Sequence, residues 1–271
     1  MPPPCPRGKA WRIVSTVASD EVGRLLGQFA ADAGRVLPLV ALWAHGSLAY
    51  GDFVPGRSDL DLVALIGAPV TGEQRQELER AHKGLISAEP LAAGLHCSYM
   101  VSGEHADPGQ QHLTWAHQEM FERPVSPVSR RELQQGGLRL LGPAPATALP
   151  AISDAELAAF ITSDLRDYWL PNTARPDRWI RDIWVDLGML TLARAQVTLR
   201  DGRLITKREA LDVLARMGAP AEVVDDIRAR RYGPEPGYGP GPDATEEWLA
   251  ERAELARTYV RLGINRTLGL N

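Results

Sequence analysis

The sequence predicts an α+β protein in two parts, a mixed sheet with helices over residues 1–150 and an α-helical bundle over residues 151–271. Three observations carry that expectation. The first half holds short, continuously apolar runs that stop at glycines, with helix-period segments between them. The second half repeats apolar residues at spacings of three and four, with Ser, Thr or Asp near several starts and Gly near several ends. A Pro/Gly-rich stretch at residues 142–154 lies between the two. A length of 271 residues agrees with two domains of roughly 100–200 residues each.

Taken in order, residues 20–34 place Val22, Leu25, Leu26 and Phe29 at helical spacing, with Asp20 as the expected N-cap. The run VLPLVALWAHG from Val36 reads as a buried strand ending at Gly46. Residues 59–67, DLDLVALIG, alternate acidic and apolar residues before turning wholly apolar, as a central strand with one functional end would. Residues 72–87 form a charged amphipathic helix, and LHCSYMV at 95–101 is a third strand. From about Trp115 onward the reading is helical throughout: residues 113–121 (LTWAHQEMF), 129–142, 153–169, 178–202, 207–218 and 245–263, with a long loop at 233–244 before the last helix.

Composition narrows the function. Apolar residues make up 44% and charged residues 24%, which argues against a disordered or collagen-like chain. A net charge of -4 gives no overall cationic field for a nucleic-acid backbone, so no nucleic-acid partner is expected. Two cysteines, Cys5 and Cys97, exclude a disulfide framework and fit a reducing compartment. The opening MPPPCPRGKAW lacks the apolar core of a signal peptide, and no run approaches 18 apolar residues. The expectation is a soluble cytoplasmic monomer with no membrane partner.

The chemistry concentrates in residues 44–66. Gly46 and Ser47 follow a buried strand, where a turn opening a helix points free N–H groups at an anion such as phosphate. Asp59 and Asp61, two apart on a strand, direct both carboxylates from the same face. Adjacent carboxylates repel unless they share a proton or a divalent cation. With a phosphate-binding turn upstream, Mg2+ is the better reading, since it takes one or two carboxylates together with substrate phosphate oxygens.

Gly46-Ser47, Gly51, Ser58-Asp59 and Asp61, running into an apolar strand, resemble the signature of the nucleotidyltransferase superfamily, whose catalytic domain is polymerase-beta-like. Residues 192–211 (LARAQVTLRDGRLITKREAL) and 228–233 (RARRYG) resemble the helical C-terminal domain of the streptomycin/spectinomycin adenylyltransferases, and ELQQGGLRLLGPAP resembles the segment that joins the two domains there. The resemblance implies transfer of a nucleoside monophosphate, AMP from ATP, to a hydroxyl of a small acceptor. It implies that Asp59 and Asp61 hold Mg2+ and that Gly46, Ser47 and Ser58 belong to the nucleotide site, Ser47 and the turn amides holding the β and γ phosphates. Arg194, Lys207 and Tyr232 match family positions that reach the triphosphate. The plainer readings of these three stay open: a solvated helix residue, an ordinary first-turn lysine and a core tyrosine.

One position departs from the pattern. The family's third strand carries a carboxylate as general base, and here His96 stands in its place. Three readings compete. His96 is itself the base, since imidazole titrates near neutrality and accepts a proton without adding repulsion to two aspartates; or Glu89 or Glu104 serves instead; or the base is gone, leaving a weak or silent nucleotide-binding or regulatory relative. For an aminoglycoside-like polycationic acceptor, Asp182 and Asp186, four apart on the helix of Arg194, offer carboxylates, with Trp179 and Trp184 nearby. Trp115 and Glu119, read as helical, are further candidates, against the alternative that these aromatics are core. His45 is expected to pack or orient the Gly-Ser turn. His105, His112 and His117 lack zinc-ligand spacing. Cys97 points away from His96 and reads as packing.

Overall fold

A computed structural model describes residues 19–104, 107–234 and 245–270. Cys5, His105 and most of the 233–244 loop lie outside the described residues. The chain divides into two compact units, Met1–Ile152 and Ser153–Asn271.

The first unit opens with α1 (Asp20–Val36). Its N-cap is Ser19, whose hydroxyl accepts from the Val22 N–H, so Asp20 falls in the first turn, where a carboxylate favours the helix dipole. Then follow β1 (Leu39–Ala44), the one-turn helix α2 (Gly46–Ala49), β2 (Leu60–Ile66) and α3 (Gly72–Ala88). A 3-10 turn, Pro90–Gly94, leads into β3 (Leu95–Val101), β4 (Gln111–Ala116) and β5 (Glu119–Pro124), followed by α4 (Pro127–Gly136), β6 (Leu138–Leu141) and α5 (Pro145–Ala148). The six-stranded sheet has the order β5-β4-β3-β2-β1-β6; β2 and β3 are parallel and the other neighbours antiparallel.

Both faces of the sheet are covered, which explains the unbroken apolar runs in β1 to β3. Leu42, Ala44, Leu62 and Ala64 pack with Leu25, Leu26 and Phe29 of α1 and Leu78 of α3 on one face. Their alternates, Ala41, Trp43, Val63 and Leu65, pack with Leu133 of α4 on the other. The buried Trp43 indole donates to the Pro143 carbonyl at 2.8 Å.

Two segments read as helical are strands. Residues 113–121 form the β4-β5 hairpin, closed by a two-residue turn at His117 and Gln118 with φ of 53° and 63°. Tight hairpin turns need positive φ, and the residues that advertise it are Gly, Asn and Asp. His-Gln carries the conformation without that signal, so the sequence hides the turn. Trp115 therefore sits on a central strand, fully buried. Likewise α4 ends at Gly136, and residues 138–141 pair with β1 at the sheet edge. A Cβ at Gly137 would meet the Leu133 carbonyl oxygen at 2.5 Å, so the close approach that turns the chain from helix into strand needs glycine.

The second unit is helical. α6 (Asp154–Ser163) starts at a Ser153–Glu156 capping box and continues through a π-helical turn, Asp164–Trp169, to Asn172. A single turn, Pro176–Trp179, precedes α7 (Asp182–Asp201), α8 (Lys207–Arg216), α9 (Ala221–Tyr232) and α10 (Glu246–Leu268). Among the described residues no helix is long and apolar enough to cross a membrane. Inside this unit Asp182, Asp186 and Asp226 meet Arg230 and Arg252: Arg230 reaches Asp186 at 2.6 Å, Arg252 reaches Asp182 at 2.7 Å and Asp226 at 3.0 Å, and Arg230 also pairs with Asp226.

Candidate active site

The C-terminal end of β1 delivers the chain into a sharp turn. His45 is extended, Gly46 has φ of +62°, and α2 begins there. A Cβ on Gly46 would stand 2.7 Å from Asp61 Oδ2, so both the backbone conformation and the space demand glycine. The His45 N–H donates to the Asp61 carbonyl at 2.9 Å, tying the turn to β2.

Asp61 lies on β2 and Asp59 immediately before it. Parallel pairing sets Asp61 opposite His96 of β3. The imidazole therefore faces both carboxylates: Nδ1 is 3.6 Å from Asp61 Oδ1 and Nε2 is 3.9 Å from Asp59 Oδ1. The Asp59 side chain is 52% exposed and that of Asp61 32%, against 8% for His96. Two solvent-facing carboxylates thus sit over a buried imidazole, whose other neighbour is the His117 ring at 4.8 Å.

Ser58 builds the loop before the carboxylates, its hydroxyl accepting from the Val54 N–H at 3.0 Å. The Ser47 carbonyl accepts from the Asp52 N–H at 2.9 Å, fixing the far side of α2. Glu89 caps the end of α3 through its N–H to the Leu85 carbonyl. Glu104 lies past Val101, the opposite end of β3 from His96. The five residues from His96 to Val101 span about 16 Å at ~3.3 Å each. That distance removes Glu104 as an alternative base at this site.

No three His, Cys, Asp or Glu side chains converge as a metal cage among the described residues. The donor set here is two carboxylates beside an anion-favouring turn. That set fits Mg2+, which keeps several water or phosphate ligands and needs one or two protein carboxylates. It would not fit a metal that requires an all-protein shell.

The partner of His45 lies far along the chain. The His45 Nδ1–H donates to Glu132 Oε2 of α4 at 3.0 Å, across 87 residues that offer no local signal. Burial alone would lower the pKa of His45, but the Glu132 hydrogen bond and the charges of Asp61 and Glu132 outweigh it and raise the pKa. Cys97, facing away from His96, is fully buried, and burial pushes its thiol pKa up, which makes it inert packing.

In the second unit Arg194 donates through Nε to the Ile205 carbonyl at 2.9 Å, just ahead of Lys207, the first residue of α8. The Tyr232 ring lies under the Arg208 guanidinium at 3.9 Å. Arg194, Lys207 and Tyr232 are thereby gathered at the start of α8, together with Arg208, which the sequence reading passed over although it adjoins Lys207. The proposed acceptor residues are more scattered. Asp186 is fully buried and paired with Arg230, and Asp182 is paired with Arg252. Trp179 is fully buried, donating to the Asn172 carbonyl at 3.0 Å. Trp184 stacks with Tyr168, with Arg178 4.9 Å above its ring. Trp115 belongs to the first unit's core, stacked on His82 at 4.5 Å.

No protein-family model matches the chain, and no curated protein matches its sequence. Among solved structures it is similar to spectinomycin adenyltransferase AAD(9) from Enterococcus faecialis, determined with ATP and spectinomycin. The match has 15% identity and a TM-score of 0.69, and covers 89% of this chain and 98% of that one. At that identity the likeness establishes architecture: the chain has the fold of that adenyltransferase.

Proposed function

We propose that this protein is a nucleotidyltransferase that moves AMP from ATP to a hydroxyl of a small acceptor. The observation that carries the reading is the seating of Gly46 against the Asp61 carboxylate, with Asp59 alongside and His96 beneath. A tight turn opening a short helix, set against paired carboxylates, suits a metal-bound triphosphate. The fold shared with an adenyltransferase supports the same reading.

In this proposal Asp59 and Asp61 hold Mg2+, which when bound supplies charge neutralisation at the phosphate oxygens. Ser47 and the turn amides at Gly46 contact the β and γ phosphates, and Ser58 holds the loop that aims Asp59. Arg194, Lys207 and Tyr232 are proposed triphosphate contacts, Arg as a fork and Lys as a point charge. The acceptor hydroxyl oxygen forms a bond to the α-phosphorus, the α–β bridging bond breaks, and pyrophosphate leaves. His96 takes the hydroxyl proton, as a group already facing both carboxylates can do without adding negative charge.

The acceptor in this reading is an aminoglycoside-like or aminocyclitol-like small molecule, and antibiotic resistance would be its consequence. The exposed Tyr168 and the half-buried Trp184 stacked on it, with Asp182 beside its partner Arg252, are the acceptor residues proposed. Trp115 and Asp186, both fully buried, do not enter it. A second reading is favoured by one observation, the histidine in place of the third carboxylate: a nucleotide-binding relative without turnover. Incubation with Mg2+, ATP and a panel of aminoglycosides and aminocyclitols separates the two by mass spectrometry. A product heavier by one adenylyl group, AMP less one water, supports transfer. Mg2+-dependent ATP binding with every acceptor unmodified supports the silent relative.

A further inference from the structure

Helix α2 is four residues long, too short to hold its own shape, and it begins at the turn to which the phosphates are assigned. Its two flanking residues are His45, the N-cap, and Tyr50, the C-cap. Neither side chain caps the helix. Both reach instead to one residue of α4: His45 Nδ1–H donates to the Glu132 carboxylate at 3.0 Å, and the Tyr50 hydroxyl donates to the Glu132 carbonyl at 3.3 Å. The His45 and Glu132 side chains are 12% and 10% exposed, so their hydrogen bond is shielded from competing water. Tyr50 is also packed from behind, because a Cβ on Gly136, one turn beyond Glu132, would lie 3.3 Å from its ring.

The post to which they are tied is rigid. The neighbouring Arg130 is fully buried, donating to the Val125 carbonyl at 3.0 Å and to the Asp107 carbonyl at 2.9 Å, while Arg131 donates to the Ile152 carbonyl at 2.5 Å. Three successive charged residues of α4 are thus buried and directed at fixed backbone or side-chain partners. Buried charge is retained at a cost, and a hydrogen-bonded partner is what offsets it.

We propose that Glu132 is a positioning residue for the nucleotide site, clamping both ends of α2 so that the Gly46–Ser47 amides are held ready for the phosphates before ATP arrives. The inference rests on the nucleotidyltransferase reading above. It adds a residue far from the motif, on an element that the motif does not include. Preorganised donors bind an anion without first losing conformational freedom, so loosening the clamp weakens ATP binding and leaves the proton-transfer geometry at His96 in place.

Two readouts test it in the full chain: amide hydrogen exchange across residues 46–52, and the affinity for Mg2+-ATP. Glu132→Ala is expected to speed exchange in that segment and to weaken ATP binding about tenfold, the usual scale for removing a group that orients a contact residue. Glu132→Gln keeps an acceptor for His45 Nδ1–H and should restore affinity to within about twofold of the wild type. A Glu132→Ala protein that loses thermal stability yet binds ATP like the wild type overturns the proposal, as does Glu132→Gln as weak as Glu132→Ala. Should Glu132→Ala not fold, Tyr50→Phe, which deletes one hydroxyl, carries the test. Weaker ATP binding at an unchanged Tm supports the clamp, and wild-type affinity overturns it. If the wild-type chain itself binds no Mg2+-ATP, the nucleotide reading falls, and the exchange rates still decide whether Glu132 holds the turn.

Discussion

His96 is where residue chemistry and backbone register meet. It lies opposite Asp61 because β2 and β3 are parallel and paired in that register, and its ring nitrogens come within 3.6 and 3.9 Å of two carboxylates. As the proposed base, its replacement by Ala should lower kcat by roughly 10²- to 10⁴-fold and leave ATP affinity nearly unchanged. Steady-state kinetics with a saturating acceptor would show this, and an unaltered kcat assigns the proton to Glu89 or to water. Asp59 and Asp61 were legible as a pair because strand geometry has a period of two, so sequence spacing places their side chains on a common face, whereas His96 was singled out by resemblance to the family's third strand. Gly46 was legible as a turn, and only the structure shows that the Asp61 carboxylate itself excludes a side chain there. The His45–Glu132 contact was not legible, since long-range pairing leaves no mark on local spacing.

Among the elements, the β4-β5 hairpin was misread and its neighbour α3 was read well. Leu113, Trp115, Met120 and Phe121 imitate a helical repeat when the turn between them lacks glycine, and periodicity over nine residues cannot tell the two apart. The hairpin completes an aromatic cluster around a buried histidine of α3. His82 of α3 stacks on Trp115, shares a 2.7 Å hydrogen bond with the Tyr99 hydroxyl, and has its pKa lowered by burial to about 3. The sign of the resulting pH effect follows directly. Below the unfolded value of 6.5 the unfolded chain binds a proton at His82 and the folded chain does not. Stability from this group is therefore full above pH 6.5 and is lost as pH falls toward 3. At about 1.4 kcal/mol per unit, acidification from pH 7 to pH 5 should cost roughly 2 kcal/mol through His82. Chemical denaturation of the wild type and His82→Gln at both pH values measures it as the difference between their slopes, and equal slopes would refute it.

For the molecule as a whole, two units with different chemistry were visible in composition and period: apolar strands ending in acidic and glycine residues in one, amphipathic helices bearing cations in the other. What the sequence could not show is which charges are engaged inside a unit. Asp182 and Asp186 satisfy the spacing expected of an acceptor wall, yet in the helical unit they answer the buried guanidinium groups of Arg230 and Arg252. Spacing finds a shared helix face and is blind to what packs against it. Removing one partner of such a network leaves buried charge without compensation. Arg252→Ala, at a residue fully buried in α10, is expected to lower stability by about 3–5 kcal/mol in equilibrium denaturation. A cost below ~1 kcal/mol would mean that the aspartates are not held by that contact. The central claim concerns the other unit, that Asp59 and Asp61 hold the metal on which transfer depends. Pyrophosphate release from ATP, measured with Mg2+ and an unmodified acceptor that the panel shows becoming adenylylated, for the wild type and for Asp59→Asn combined with Asp61→Asn, tests it most directly. The account predicts Mg2+-dependent release by the wild type and a loss of about a hundredfold or more in the double variant. Release by the double variant at the wild-type rate would contradict it.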